Sequence, residues 1–246
     1  MRILTLNTWQ ERGDWQKRWE VTFEGIRHLQ PDIIGFQELF NGSWAQEVQK
    51  RTGLTHLLFK DEKHGVVLYT RYLVREWGTV TLSQSPLEEY RRYGLWAKLD
   101  VKGHPLLVLN THLSWMLEDG GSRMKQTEEL LQLLDEKAPN TETIMMGDLN
   151  APRHSSEISR FIEKGNFRDL FFEKHPKERG YTWDNRNPYV AGAEHKLPDR
   201  RIDFILARNS GTLLKSRVSC KIVFTNPTPQ GVWASDHYGV TAEFAH

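Results

Sequence analysis

The sequence has a single cysteine, Cys220, among its 246 residues, so an internal disulfide is excluded. Cys220 lies in the apolar run VSCKIVF, which is typical of a buried thiol rather than a nucleophile. The sequence has no apolar run near the roughly 20 residues of a membrane-spanning helix, and its start, MRILTLNTW, lacks the apolar stretch of an export signal. We therefore expect a globular protein that stays in the cytoplasm without stable membrane insertion.

The sequence also lacks an excess of charge of one sign. Lys and Arg number 33 and Asp and Glu number 32, which gives a net charge of +1. Proteins dedicated to nucleic-acid binding are usually strongly basic, so the composition does not indicate one. The balanced composition still allows a local basic patch and, through it, binding to nucleic acid. The candidates for such a patch are Arg91, Arg92, Lys196, Arg200 and Arg201. Nothing indicates an obligate protein partner.

The chain contains no repeat, no low-complexity stretch and no linker rich in Pro, Gly or Ser. We therefore expect one domain over residues 1–246. Short apolar runs predict strands at 2–6, 32–36, 65–69, 73–82, 94–101, 106–110, 143–146, 202–207, 218–224 and 238–244. Apolar residues at helical spacing predict helices between the first two strands and over 122–137, and Ser155 or Ser156 can cap a short helix through residue 161. The pattern predicts an α/β sandwich with outer helices, in which the strands from 65 to 110 form an antiparallel meander.

Polar side chains occur at the ends of six of these predicted strands. They are Asn7, Glu38, His112, Asp148, Asn150, Asp203, Asp236 and His237. Each one alone is more often a cap or turn residue. Together they indicate one site at the rim of the sheets, because binding sites of layered α/β proteins are commonly built from strand ends.

The chemistry of this set fits metal-assisted hydrolysis of a phosphate ester. Carboxylate and amide oxygens are ligands for Mg²⁺ or Mn²⁺, whereas zinc would call for more imidazole or thiolate. A dication neutralises charge on a phosphoryl oxygen, a carboxylate can orient or deprotonate water, and a histidine can donate to phosphate or the leaving group. A serine-hydrolase elbow and a P-loop lysine motif are both missing.

The motifs LNTW, IIGFQE, NTHL, GDLN, RRIDFIL and SDH, in this order from residue 2 to residue 244, resemble the endonuclease/exonuclease/phosphatase superfamily with its deoxyribonuclease I-like fold. The resemblance implies a four-layer α/β sandwich with two mostly antiparallel central sheets. It also implies that Glu38 binds Mg²⁺ with help from Asn7 and Asp236. The implied catalytic roles are water activation by Asp148, phosphate binding by Asn150, transition-state stabilisation by His112 and His237, and orientation of His237 by Asp203.

The substrate is less sharply indicated than the reaction. The resemblance to uncharacterised bacterial-type members suggests a metal-dependent hydrolase of a small or headgroup-type phosphate monoester or diester. His112 stands where abasic-site endonucleases typically carry a tyrosine, which disfavours that branch. A nuclease resembling deoxyribonuclease is the alternative, and a catalytically silent binding module is a third reading, disfavoured because every catalytic position is filled.

Four residues are candidates for substrate binding. Arg92, Arg123 and Arg201 are proposed to grip phosphate, because a guanidinium binds phosphate through paired donors. Strand alternation favours Arg201 over Arg200, since it would place Arg201 on the same face as Asp203. Trp115 lies three residues after His112, where an indole could wall a substrate pocket.

Overall fold

The structure is a computed structural model that describes residues 1–191, 197–209, 211–215 and 217–245. The strands are β1 (Arg2–Asn7), β2 (Ile33–Gln37), β3 (His56–Leu58), β4 (Val66–Thr70), β5 (Leu73–Thr81), β6 (Tyr93–Val101), β7 (His104–His112), β8 (Glu142–Asp148), β9 (Arg168–Asp169), β10 (Asp203–Arg208), β11 (Arg217–Val223) and β12 (Gly239–Ala245). The helices are α1 (Trp15–Leu29), α2 (Gly42–Thr52), α3 (Gly120–Lys137), α4 (Ser156–Lys164), α5 (Leu170–Lys174) and α6 (Pro188–Ala191).

The strands form two six-stranded sheets, with orders β11-β12-β1-β2-β4-β3 and β5-β6-β7-β8-β10-β9. β1 and β2 run parallel in the first sheet, as do β7 and β8 in the second, and the other pairings are antiparallel. The first and last strands pair with each other, because β12 lies beside β1.

Three layers of buried side chains separate four layers of secondary structure. Ile3 and Met146 lie in the core between the two sheets. Their chain neighbours point the other way: Leu4 packs with Trp19 of α1, and Met145 packs with Leu130 of α3. Strands buried on both faces read as continuous apolar runs, which is why IMM and ILTL show no alternation with polar residues. The predicted sandwich with outer helices is confirmed.

The structure corrects the predicted meander. Only β5, β6 and β7 form it, whereas β4 belongs to the other sheet and pairs with β2. The sequence-based prediction also missed five elements: α2, β3, β9, α5 and α6. None of the helices in the described part of the chain is long and apolar enough to cross a membrane.

Candidate active site

Strand direction and register bring the polar strand ends together at one edge of the sandwich. Asn7 is paired with Gln37 at the carboxyl ends of the parallel strands β1 and β2. In the other sheet His112 is paired with Asp148 at the carboxyl ends of β7 and β8. Asp203 begins the antiparallel strand β10 and is also paired with Asp148. Residues from distant parts of the sequence therefore face each other across the two sheets.

Asn7 links the two sheets at this edge. Its Nδ2 donates to Glu38 Oε1 at 3.1 Å and to Asp148 Oδ2 at 3.0 Å. Its Oδ1 accepts from the backbone N of Trp9, so both ends of the amide are held. Glu38 has a φ of 60°, a left-handed conformation that is uncommon for residues other than glycine and occurs often in functional loops. This turn sets the direction of the Glu38 side chain at the end of β2.

Asp148 is the centre of the site and is almost fully buried, with 1% of its surface exposed. His112 Nε2 lies 3.4 Å and His237 Nε2 lies 3.7 Å from its Oδ2. The Asn150 backbone N donates to Asp148 Oδ1. Burial and the nearby charge of Asp203 raise the pKa of Asp148 to about 7. A carboxylate with such a pKa is suited to accept a proton near neutral pH.

The two histidines of the site differ in charge. His237 Nδ1 lies 2.9 Å from Asp203 Oδ2, which fixes the ring and leaves Nε2 directed toward Asp148. Burial alone would lower the pKa of His237, but the charges of Asp203 and Asp148 outweigh it and raise the pKa to about 10. Burial and the charge of Arg92 lower the pKa of His112 well below its usual value. At neutral pH the site therefore holds a charged His237 and a neutral His112.

Asp236 lies in the loop that precedes β12. Ser235 Oγ contacts Asp236 Oδ1 at 3.1 Å and donates to the Asn7 backbone carbonyl at 2.7 Å, which ties this loop to the end of β1. Burial and the nearby charge of Glu38 raise the pKa of Asp236 to about 6. Asp236 and Glu38 are thus neighbouring carboxyl groups, an arrangement that a bound cation would stabilise.

Two sets of residues offer ligands to a divalent cation. Asp148, Asp203 and His237 present ligand atoms that lie within 4.8 Å of one another, a buried cluster that could hold a metal ion. The second set, taken from the sequence-based prediction, is Glu38, Asp236 and Asn7, whose side chains carry the hard oxygen ligands that Mg²⁺ prefers. Asn7 turns its Nδ2 toward Glu38, and its Oδ1 accepts from the Trp9 backbone N. The donors therefore fit a divalent cation, with the oxygen-only set the better match to magnesium.

Asn150 adjoins this centre with a φ of 54° and only 5% of its surface exposed. Asn150 Nδ2 donates one of its two amide hydrogens to the Leu113 carbonyl oxygen at 2.9 Å. An amide carries two such hydrogens, so this contact orients the group and leaves donor capacity for a ligand.

Two of the four predicted substrate-binding residues lie near the centre. The charge of Arg92 acts on His112, and its Nε donates to Glu88 Oε2 at 2.7 Å. The same carboxylate accepts from the Trp115 backbone N through Oε1. Glu88 is almost fully buried and thereby holds both candidates in one arrangement. Trp115 is 38% exposed, as a rim residue would be.

The geometry argues against a phosphate-binding role for the other two, Arg123 and Arg201. Arg123 is buried, pairs with Glu157 at 2.9 Å and donates to backbone carbonyls of the loop before α3. Arg201 is buried in a two-pronged ion pair with Asp169, with distances of 3.1 and 2.6 Å. Both guanidinium groups are used to hold loops in place, which charge and spacing in the sequence do not reveal.

The preference for Arg201 over Arg200 rested on strand alternation, which does not extend to these residues because β10 begins only at Asp203. Arg200 is the one close to the centre: it is 6% exposed, and its charge interacts with Asp148 and Asp203. Its guanidinium lies over the ring of Trp183. The Trp183 ring in turn packs edge-on against the His237 ring, with 5.1 Å between the ring centroids. Lys196, another candidate for a basic patch, lies outside the described residues.

A cavity of about 590 Å³ adjoins Glu38 and offers room for part of a substrate next to the centre. Its walls include Glu11, Phe40 and Glu62, from the loops that follow β1, β2 and β3, and Trp44 of α2. The sequence-based prediction did not find this cavity, because, apart from Glu38, these wall residues lie outside the quoted motifs.

The fold and the site define a class of layered α/β protein with acidic and histidine side chains at one sheet edge. The family model for the Endonuclease/Exonuclease/phosphatase family matches residues 5–237, and the chain belongs to this family. The family is metal-dependent.

Among curated proteins, the chain is similar to Tyrosyl-DNA phosphodiesterase 2 of Gallus gallus, with 24% identity over 253 aligned positions. The alignment covers 98% of this chain but 66% of that protein, so the chain spans somewhat less than two thirds of its length. Among solved structures, D. rerio TDP2 complexed with single-strand DNA product matches with a TM-score of 0.82 at 20% identity, covering 100% of this chain and 99% of that one. The mannosyl-6-phosphatase Bt3783 of Bacteroides thetaiotaomicron matches with a TM-score of 0.76 at 18% identity, with both chains fully covered.

Proposed function

We propose that this protein is a Mg²⁺-dependent phosphoesterase, also served by Mn²⁺, that hydrolyses a small or headgroup-type phosphate monoester or diester by in-line attack of water. The observation that carries the proposal is the arrangement around Asp148, a buried carboxylate of raised pKa within 3.7 Å of two histidines and bonded to Asn7. Residues 1–246 are proposed to act as one domain, supported by the pairing of the first strand with the last. We also propose that the protein is cytoplasmic and needs no obligate protein partner.

In the proposed mechanism Glu38, Asp236 and Asn7 would hold the cation, which would supply positive charge to a phosphoryl oxygen. Asp148 orients the attacking water and takes its proton, since its pKa of about 7 suits a general base.

The remaining groups stabilise the phosphate while the water oxygen bonds to phosphorus and the bond to the leaving oxygen breaks; the departing oxygen takes a proton from solvent. His237, kept positively charged and oriented by Asp203, donates to a phosphate oxygen through Nε2. His112, held neutral by burial and the charge of Arg92, is placed to donate a hydrogen bond from the other side of Asp148. Asn150 binds a phosphate oxygen with its remaining amide hydrogen. Arg92 and Trp115 are proposed to bind the rest of the substrate.

A nuclease is the second candidate, and one observation favours it: the D. rerio TDP2 structure with a TM-score of 0.82 is a complex with single-strand DNA product. The mannosyl-6-phosphatase neighbour favours a small phosphorylated substrate instead. Polynucleotide binding would depend strongly on salt, because phosphate contacts release counterions. Cleavage that falls steeply between low and high salt would therefore support the nuclease.

The test compares hydrolysis of bis-p-nitrophenyl phosphate and p-nitrophenyl phosphate with Mg²⁺, Mn²⁺ or EDTA. We expect activity with either metal and none in EDTA; diester cleavage would identify a phosphodiesterase, and cleavage of the monoester alone a phosphatase. We expect Asp148→Asn, which keeps the shape but removes the base, to lower turnover by about 10² to 10⁴-fold.

Asp135→Asn is the matched control, because this exposed carboxylate of α3 pairs with Arg208, at the end of β10 away from Asp148. It should retain full activity. Full activity of Asp148→Asn in a folded protein would contradict the proposed mechanism. Silence of the wild type on both esters and on natural phosphate esters would support a catalytically silent binding module.

A further inference from the structure

Arg18, in the first turn of α1, is a buried arginine that the proposed mechanism does not use. Only 1% of its surface is exposed, so its charge is removed from water. Its guanidinium donates five hydrogen bonds of 2.9 to 3.2 Å, all to backbone carbonyls: those of Thr8, Trp9, Gln10, Arg12 and Ala234. None of its hydrogen-bond acceptors among the described residues is a carboxylate, which is unusual for a buried cation.

The five carbonyls belong to two segments of the candidate active site. Four lie in the loop that directly follows Asn7, and the fifth lies two residues before Asp236. The first loop is strained, because Trp9 and Gln10 have φ values of 56° and 50°. Such a backbone persists only where its surroundings hold it, and Arg18 binds the carbonyls of both residues. The guanidinium also lies over the Trp9 ring at 4.9 Å.

We propose that Arg18 is a positioning residue that fixes Asn7 and Asp236 relative to each other and so builds the geometry that the divalent cation requires. The inference rests on the proposed function, since it takes both residues as metal ligands. A planar fork with five N–H groups can hold carbonyls from two chain segments at once, whereas a lysine offers three hydrogens from a single atom.

This role makes a prediction about metal affinity. Groups that orient metal ligands without touching the metal typically cost 10- to 100-fold in affinity when they are changed. We therefore expect Arg18→Lys, which keeps the charge but loses the fork, to raise the dissociation constant for Mn²⁺ by about 10- to 100-fold. Calorimetric titration of the full chain with MnCl₂ measures this without relying on turnover.

Arg208→Lys is the matched control. Arg208 is also a buried arginine, 6% exposed, but it lies at the other end of β10, paired with Thr143 rather than with Asp148. A general effect of removing a buried guanidinium would lower the melting temperature of both variants. Only the positioning role predicts weaker Mn²⁺ binding in Arg18→Lys together with wild-type binding in Arg208→Lys.

The outcomes separate this inference from the proposed function. A wild-type protein that binds no Mn²⁺ would overturn the metal site and the role of Arg18 together. Wild-type binding with an unchanged dissociation constant in folded Arg18→Lys would overturn the role of Arg18 alone. Arg18→Met, which keeps much of the side-chain volume, serves if the lysine variant does not fold, and the same shift in affinity is expected.

Discussion

The pair formed by His237 and Asp203 shows how one buried carboxylate sets the charge of a neighbouring ring. The site buries His237, and burial alone favours the neutral ring; the pKa of about 10 therefore depends on the nearby carboxylates, of which Asp203 acts most strongly. His237 should stay charged throughout the neutral range and lose its proton only in alkaline solution.

We expect Asp203→Asn to lower the pKa of His237 by about 1 to 3 units, because the charge disappears while the amide oxygen can still accept from Nδ1. The alkaline limb of the kcat/KM profile with bis-p-nitrophenyl phosphate should move down by the same amount. Asp199→Asn, an exposed position with the same change in charge, should leave the limb in place. An unmoved limb in Asp203→Asn would show that His237 is not the charged group that limits activity at high pH.

The polar residues at strand ends were predictable as a set, because six buried strands that each carry such a side chain at one end indicate a shared rim of the sheets. Arginines were not. Whether Arg123 and Arg201 grip phosphate or pair with Glu157 and Asp169 depends on partners 32 or more residues away. The sequence offered no signal for the buried role of Arg18, since WQKRWE reads as the start of an ordinary amphipathic helix.

At the scale of elements, Gly147 in β8 is where β7 and β8 approach each other closely beside the site. Its φ is 136°, and an added Cβ would lie 2.0 Å from the Thr111 carbonyl oxygen. We expect Gly147→Ala to lower the free energy of unfolding by more than about 2 kcal/mol, from backbone strain and steric overlap, and to displace the neighbouring Asp148.

Gly103→Ala is the control for Gly147→Ala. Gly103 also has a positive φ, 87°, but an added Cβ there meets nothing within 4 Å. Gly103→Ala should therefore lower the free energy of unfolding only by the backbone strain, about 1 to 2 kcal/mol. Urea denaturation of both variants measures the difference, and equal losses would mean that the close approach to Thr111 is relieved at no cost.

The missed helix α2 shows what limits the prediction of elements. Only Ala45 and Val48 are buried in it, so its apolar pattern is too sparse to stand out. Its end signals were nevertheless present in the sequence. Asn41 caps the first turn by accepting from the Trp44 backbone N, and Gly53 ends the helix in the left-handed conformation. Cap residues, rather than periodicity, could have located this helix.

At the scale of the whole molecule, the number of layers was predictable from the sequence, whereas the strand pairing was predictable only in part. An apolar run that is buried on both faces indicates a central strand but does not name its neighbours, which is why β4 was expected in the wrong sheet. Asn110 illustrates the same limit. From β7 it donates to carbonyls of Phe36 and Val67 in the other sheet and accepts from Gln37, joining the sheets through a buried amide. In the sequence it is one more residue of LVLNTH.

Metal and protons should compete across the whole molecule through its stability. Asp236 and Asp148 have pKa values raised to about 6 and 7, so the folded metal-free protein binds protons more tightly than the unfolded chain. Their contribution to stability is full below their ordinary pKa of 3.8 and is lost as the pH rises from there through 6 and 7. A divalent cation bound by Asp236 needs that carboxylate without its proton, and its charge disfavours a proton on the neighbouring Asp148, so its stabilisation should follow the opposite course.

We expect Mg²⁺ at about 100 times its dissociation constant to add about 2.7 kcal/mol, which for a chain of this size raises the melting temperature by about 5 to 10 °C. At a fixed Mg²⁺ concentration the increment over EDTA should be small at pH 5.5, grow through pH 6 to 7 and level off by pH 8. Comparing Mg²⁺ with EDTA at each pH cancels the titration of groups remote from the cation. Asp236→Asn should abolish most of the increment, and an increment that does not change with pH would exclude Asp236 from the metal site.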